Sequence, residues 1–337
     1  MRAVQQTRFG PPAEVLELVD QQLPSLGDNE VSIAVEATPI HAGDLANIAG
    51  EKTMIRTVTP GEELVTELPQ VPGIEGIGRV TAVGAAVSRF AIGDRVYLPL
   101  QCGSWREVVH GDAGSVFPAP EGDPIQLSLI INAITADIAL QDLAPLKPGD
   151  WFVQNSANSN VGRILITLAH RRGFRTLNIV RRESLVDELL ELGADVVLVD
   201  GPDLAARVAE ATDGAPLPVG LDGIGGEATG HLAACLDDEA SVYNMGHMSS
   251  LSCQIPSWVL LYKQVKICGF YAGYNITSRT PQQQAAMIEE LAGLISSGVL
   301  KAKIAATYPL TEFRQAVTHA MQDGVSRDGK IVFDLTS

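Results

Sequence analysis

The chain has 337 residues, of which 46% are hydrophobic and 19% charged. This balance excludes a disordered chain, and the length predicts more than one hydrophobic core. The formal net charge of −16 lacks the basic footprint of a nucleic-acid or anionic-membrane binder.

Four cysteines, Cys102, Cys235, Cys253 and Cys268, are scattered and form no C-x-x-C pair. A disulfide framework or structural zinc lobe is not expected. The opening residues, MRAVQQTRFGPP, lack a signal-peptide apolar core. No apolar run reaches about 18 residues, the rough length of a membrane span. These features predict a reducing cytoplasmic setting, no membrane partner and no nucleic-acid partner.

Residues 1–118 read as β-rich. Val31–Ala37, Gly78–Val83 and Arg95–Leu98 are short strand-like runs, separated by Pro72-Gly73, Gly84 and Gly93-Asp94. Close spacing suggests a compact, barrel-like lobe. Ile55–Glu67 is a polar excursion within it, either a lid or a plain surface loop.

Residues 119–270 change rhythm. Leu127–Leu143 is apolar at helical spacing. Trp151–Gln154 reads as a strand, Val161–Arg172 as a helix and Thr176–Val180 as a second strand. Leu185–Leu192 is a helix ended by Gly193, and Asp195–Val199 a third strand. Strands alternating with helices imply βαβ units and a parallel sheet. Gly220–Gly226, Ala240–Met245 and Val265–Tyr271 supply candidate later strands. Helices over 281–300 and Leu310–Met321 and a strand over Lys330–Leu335 complete the chain.

A strand, a polar loop and a helix are the context of a dinucleotide fingerprint, G-x-G-x-x-G. Here its glycine places hold Ala157, Ser159 and Gly162. All three are small, so backbone can approach a pyrophosphate at a helix N-terminus. A βα turn without a ligand is the other reading of the loop alone. The end of the second strand carries Arg181 and Arg182. An NAD site needs a carboxylate there, whereas two guanidinium groups suit a 2′-phosphate. NADPH is therefore the expected cofactor, against a reading of two surface arginines.

Val71–Val80 (VPGIEGIGRV), Ile92–Val96 (IGDRV), Lys147–Asp150 (KPGD) and Leu221–Gly226 (LDGIGG) resemble ordered signatures of the medium-chain dehydrogenase/reductase superfamily. The resemblance runs from Met1 to Leu335. It implies an α/β fold, with a GroES-like β-rich substrate lobe (1–118 with 275–337) and a Rossmann doubly wound parallel sheet (119–274). The cofactor is then expected in the cleft between lobes, at the carboxyl ends of the strands. Where the zinc enzymes of that superfamily carry Gly-His-Glu, this chain has Gly73-Ile74-Glu75. Near their first cysteine ligand it has His41-Ala42-Gly43-Asp44. An open zinc site needs about three converging ligands, so no metal is expected and His41 reads as an ordinary polar contact.

Within the superfamily, Gln154–Gly162 (QNSANSNVG) and Arg175–Arg181 (RTLNIVR) resemble the 2-enoyl thioester reductases of mitochondrial-type fatty acid synthesis. Gly103–Arg106 and Gly269–Tyr271 are also similar. This resemblance implies a homodimer that reduces an activated carbon–carbon double bond of a small-molecule or acyl-thioester substrate with NADPH. It places Asn158, Ser159, Asn160, Val161 and Gly162 at the pyrophosphate and Arg181 and Arg182 at the 2′-phosphate. Met245, Gly246, His247 and Met248 fall at the ribose–nicotinamide region, with Phe270, Tyr271 and Ala272 beside the nicotinamide. Lys330 matches a lysine that reaches the cofactor. Asn132 is expected to line the cleft beside the cofactor, and Trp105 to stand in the cleft as a catalytic candidate.

The family's proton-donating tyrosine is replaced in Ile48–Thr53 by Lys52. Lys52 could donate the proton, face the enolate as a charge, or be a solvated surface lysine. A quinone or enone oxidoreductase, or a non-catalytic NADPH-binding protein, remains the alternative.

Overall fold

The computed structural model describes residues 1–50, 67–143, 146–322 and 327–336. Lys52 and all of the Ile55–Glu67 excursion except Glu67 lie outside them. The chain divides into two compact units, Met1–Ile131 with Thr280–Ser337, and Asn132–Arg279.

In the first unit, a seven-stranded sheet runs in the order Ile304–Tyr308, Lys330–Asp334, Glu30–Pro39, Ile77–Val83, Arg95–Tyr97, Phe117–Pro118. Val108–Asp112 also pairs with Glu30–Pro39. The long strand Glu30–Pro39 serves three neighbours with different stretches. Val31–Ala37 pairs Ile77–Val83, Glu30–Ala34 pairs Val108–Asp112, and Ala37–Pro39 pairs Val332–Asp334. One strand shared in this way curls the sheet, and its inward residues fill the resulting core. That core holds Val31, Ile33, Val35, Val80, Val96 and Val109. A second core gathers Val4, Leu16, Ile48, Trp105, Phe313 and Phe333. The alternation of apolar residues explains why these strands are legible in the sequence.

The second unit is a six-stranded sheet with every described pairing parallel. Its order is Val196–Val199, Arg175–Val180, Trp151–Gln154, Val219–Asp222, Ser241–Asn244, Lys266–Gly269. The central strands are nearly all buried, hence their mainly apolar composition. Strand order reverses between Trp151–Gln154 and Val219–Asp222. In doubly wound sheets, ligands bind beyond the carboxyl ends at that switch point.

Boundaries shift where local chemistry overrides periodicity. The helix expected over 281–300 is Pro281–Ser296, with Gly298 at φ +76 just past its end. The helix expected over Leu310–Met321 opens as a 3₁₀ turn and becomes α only over Phe313–Ala320. Helices Ala42–Ala49 and Leu204–Ala211 and the strand Ile304–Tyr308 are short elements that periodicity alone does not isolate.

Candidate active site

At the switch point, Ser159 caps the helix Asn160–Arg172, its Oγ accepting from the Gly162 N–H at 3.1 Å. The helix N-terminus so formed belongs to the loop that follows the strand Trp151–Gln154. Gly162 packs directly on that loop: a Cβ there would lie 2.6 Å from the Ala157 carbonyl oxygen. Asn158, Ser159, Asn160 and Val161 are all partly exposed around this turn.

Asp222, at the carboxyl end of the neighbouring strand, ties the loops together. Its carboxylate accepts from Asn155 Nδ2 (2.7 Å), Thr229 Oγ1 (2.6 Å), Asn244 Nδ2 (2.9 Å) and the N–H groups of Ile224 (3.0 Å) and Gly225 (3.1 Å). Burial opposes its charge, but the donors outweigh burial and hold the carboxyl below its ordinary range. The sequence displays Asp222 only as part of Leu221–Gly226. Its role as a hub needed Asn155, Thr229 and Asn244 to be brought to it.

Arg181 and Arg182 follow the carboxyl end of Arg175–Val180. Arg181 is exposed. Arg182 is partly buried, and its Nη1 has no hydrogen-bond partner among the described residues. A buried guanidinium nitrogen without an acceptor fits an anionic group supplied from outside. Asn132 Nδ2 is likewise buried without a partner. Met245, Gly246 and His247 leave the strand Ser241–Asn244 half-buried, and Met248 is exposed. Ser156 Oγ donates to Met248 Sδ at 3.2 Å. Beyond Lys266–Gly269, Phe270 is buried, Ala272 half-buried, and Tyr271 exposed with its ring edge-on to Tyr274 at 5.2 Å.

The first unit contains a second grouping. His41 follows the strand Glu30–Pro39 and caps the helix Ala42–Ala49, its N–H donating to Asp44 Oδ2 at 2.8 Å. Its ring lies between Glu75 Oε1, 2.6 Å from Nε2, and Lys330 Nζ, 2.9 Å from Nδ1. The other carboxylate oxygen of Glu75 accepts from the Ile131 N–H at 2.9 Å. The Glu75 carbonyl accepts from Thr38 Oγ1 and Ser104 Oγ. Lys330 opens its strand behind Gly329, where φ is +143 and a Cβ would meet the Ala305 nitrogen at 2.7 Å.

Burial governs the charges here. It pushes Asp44 up to about 7 and Glu75 up to about 8, against the pull of neighbouring N–H groups and of Lys330. It brings Lys330 down to about 8, against the attraction of Glu75 and Asp44. Burial, with Lys330 adding to it, keeps His41 well below its ordinary value and therefore neutral. A neutral ring that accepts at Nδ1 carries its proton at Nε2, so it donates to Glu75.

One expectation needs correction. Trp105, expected to stand in a cleft as a catalytic candidate, is fully buried, with its ring edge on Phe333 at 5.3 Å. Its size suits the core of the first unit better than a solvent-facing wall. His41 makes the polar contacts expected of it, as the middle of a three-member chain with Glu75 and Lys330. Lys52 lies outside the described residues. Among the described residues no group of three or more His, Cys, Asp and Glu is arranged to hold a metal ion. Both ring nitrogens of His41 are engaged, one by a cation, so these residues do not fit zinc.

Residues 27–121 match the family described as Alcohol dehydrogenase GroES-like domain, and residues 192–333 the one described as Zinc-binding dehydrogenase. The chain is 30% identical to a mitochondrial enoyl-[acyl-carrier-protein] reductase of Rattus norvegicus, over 97% of this chain and 87% of that protein. A structure titled as an NADPH:quinone reductase of Bacillus thuringiensis superposes with a TM-score of 0.88 at 28% identity, covering 99% of this chain and 98% of that one. A mycobacterial protein solved with NADPH superposes with a TM-score of 0.83 at 25% identity, covering 99% and 100%.

The expected cytoplasmic setting is contradicted by the curated relatives of Rattus norvegicus, Xenopus tropicalis and Homo sapiens, which are named as mitochondrial enoyl-[acyl-carrier-protein] reductases. Scattered cysteines do not by themselves specify one compartment. No helix among the described residues is long and apolar enough to cross a membrane. The ordered signatures, the curled sheet, the doubly wound strand order and the match over nearly the whole length give one conclusion: the chain belongs to the medium-chain dehydrogenase/reductase superfamily and, within it, resembles the mitochondrial-type 2-enoyl thioester reductases.

Proposed function

We propose that the protein is an NADPH-dependent, zinc-independent reductase of an activated carbon–carbon double bond, with a 2-enoyl thioester of CoA or an acyl carrier protein as its acceptor. The observation that carries this reading is the loop at the switch point. A capped helix N-terminus packs on a glycine that admits no side chain, and a guanidinium nitrogen without a partner among the described residues waits at the next strand end. The name of the Rattus norvegicus relative supports the acceptor class. The division of labour follows: residues 1–118 with 275–337 act as the substrate lobe, and 119–274 as the cofactor domain.

When bound, the reduced nicotinamide supplies hydride. The chain's own residues bind and orient it. The N–H groups around Asn158, Ser159, Asn160, Val161 and Gly162 face the pyrophosphate. Arg181 and Arg182 take the 2′-phosphate. Asp222 holds the Ile224–Gly225 turn, while Met245–Met248 and Phe270–Ala272 border the nicotinamide half with Asn132. Lys330 adds a cation. Hydride addition to the β-carbon leaves an enolate, whose oxygen must be stabilised and whose α-carbon must gain a proton.

A second reading, quinone or enone reduction, is favoured by the Bacillus thuringiensis structure, whose title names a quinone reductase. The test is NADPH oxidation with crotonyl-CoA, a quinone and a simple enone side by side. Turnover of crotonyl-CoA well above the others supports the thioester reading, and turnover of the quinone alone replaces it.

Assembly follows from an exposed edge. Lys266–Gly269 ends its sheet, with Ile267 exposed, and Trp258, Leu260, Leu261 and Tyr262 are exposed close by in sequence. An apolar edge strand of this kind is covered by self-pairing in a two-fold dimer. A homodimer is the proposed state.

A further inference from the structure

The buried central strands of a parallel sheet are built mainly from apolar side chains. Three neighbours in the middle of this one depart from that rule. Gln154, Thr176 and Asn178 are polar, yet 1%, 0% and 0% exposed. Burying a polar group costs free energy, so its partners show what it holds.

Gln154 and Asn178 are register partners on adjacent strands, so their side chains leave the same face of the sheet. Gln154 Nε2 donates to Asn178 Oδ1 at 2.7 Å and to the Gly162 carbonyl at 3.0 Å. Asn178 Nδ2 donates onward, to Thr176 Oγ1 at 2.9 Å and to the Val196 carbonyl at 3.0 Å. Thr176 Oγ1 also accepts from the Asp195 N–H at 3.3 Å. The network crosses three strands and ends on the first turn of the helix Asn160–Arg172.

Gly162 is held there on three sides. Ser159 Oγ takes its N–H, Gln154 takes its carbonyl, and the Ala157 carbonyl oxygen fills the place of a side chain. The residue after Gln154 reaches the other way. Asn155 Nδ2 donates to Asp222 Oδ1 at 2.7 Å, and its Oδ1 accepts from the Gly223 N–H at 2.8 Å. All of these residues lie within the unit Asn132–Arg279.

We propose that Gln154 and Asn178 are positioning residues for the dinucleotide, fixing the first turn of the helix Asn160–Arg172 on the sheet so that its N–H groups meet the pyrophosphate without rearrangement. This rests on the reading above of the loop as the pyrophosphate site. Both side chains are too deeply buried to touch a ligand, and they act through Gly162. Without them the turn rests on an apolar surface that fixes no height or angle, and binding must order it first. The pyrophosphate is common to NADPH and NADH, so the two cofactors should lose affinity alike. Arg181 and Arg182, assigned to the 2′-phosphate, should discriminate between them.

The experiment uses the full-length protein and measures Tm, with the Kd of NADPH and of NADH by fluorescence titration. The variants are Gln154→Met, Asn178→Leu and the two combined. Val153→Ala and Leu177→Ala are the controls. They neighbour the network on the same strands, are fully buried, and pack on the opposite face with Leu232 and Val242. A cavity there should lower Tm and leave both Kd values unchanged. Gln154→Met should raise both Kd values about 3–10-fold, the equivalent of one hydrogen bond. The double variant leaves neither partner of the 2.7 Å bond facing an empty place, so its Tm should equal or exceed that of Asn178→Leu while its Kd values stay high.

Unchanged Kd values in Gln154→Met and in the double variant overturn the proposal. So does a loss confined to NADPH, or a Kd that rises in the controls in step with their lost Tm. Each of these leaves the functional reading intact. A wild type that binds neither dinucleotide overturns both.

Discussion

Replacing Gly162 by alanine adds one methyl group where the loop after Trp151–Gln154 packs on itself. An ideal Cβ there would sit 2.6 Å from the Ala157 carbonyl oxygen and 2.8 Å from the Ala157 carbonyl carbon and Cα. Those atoms are backbone, so no rotamer change relieves the contact and the loop must move. Overpacking of this kind costs about 1–3 kcal/mol. The gain from alanine over glycine within a helix returns about 1 kcal/mol. A net loss of up to about 2 kcal/mol remains, a fall in Tm of roughly 4–8 °C for a unit of this size.

The same movement shifts the Gly162 N–H away from its cap on Ser159 Oγ. A cofactor that requires the original loop must restore it, so 1–2 kcal/mol of lost binding raises Kd about 5–30-fold. Thermal melts and NADPH fluorescence titration measure the two effects. Gly293→Ala is the control: it lies in the helix Pro281–Ser296, and a Cβ there meets nothing within 4 Å. It should leave NADPH binding alone and raise Tm slightly. A Gly162→Ala protein that binds NADPH like the wild type, with Tm no lower than that of Gly293→Ala, refutes the reasoning.

Four further outcomes follow from other residues. Arg182→Met should weaken NADPH about 10–150-fold by removing a charge-assisted contact of about 1.5–3 kcal/mol, with little change for NADH; equal losses for the two cofactors would count against a 2′-phosphate role. Asp222→Asn should destabilise the protein by on the order of 3 kcal/mol near neutral pH, since an amide group then faces donors that need an acceptor. Because the folded carboxyl is held low, the stability it contributes is present above its unfolded pKa and is lost as pH falls through the folded value. The gap to wild type should therefore close in acid. Glu75 has the opposite sign: its folded pKa, about 8, is raised, so its contribution is full below the unfolded value and lost as pH rises through the folded one. The Tm of Glu75→Gln relative to wild type should climb between about pH 4 and pH 8 in parallel melts. Leu261→Glu, at a residue 68% exposed, should shift the protein from dimer to monomer in size-exclusion chromatography coupled to light scattering; an unchanged dimer would place the interface elsewhere.

Alternation and punctuation expose the strands of both units because each buries at least one face, and burial leaves its period in the chain. Trp151–Gln154 and Thr176–Val180 are legible as apolar runs, and Ser159 and Gly162 as small residues where crowding demands them. The Arg181-Arg182 pair is legible because strand, loop and helix lengths fix where the second strand ends. Trp105 misled because an aromatic residue beside glycine and serine reads alike at a cleft and in a core, and only packing on Phe333 separates the two.

His41, Asp44, Glu75 and Lys330 span almost the whole chain, and no local period connects them. By itself, the sequence determined the α/β architecture and the small-residue loop after Trp151–Gln154, because backbone geometry and burial act over short stretches. The tertiary structure alone decided that an acid, an imidazole and an amine stand in line, because it pairs the strand beginning at Lys330 with the end of Glu30–Pro39. Their shifted charges arise from a shared burial that none of them carries alone.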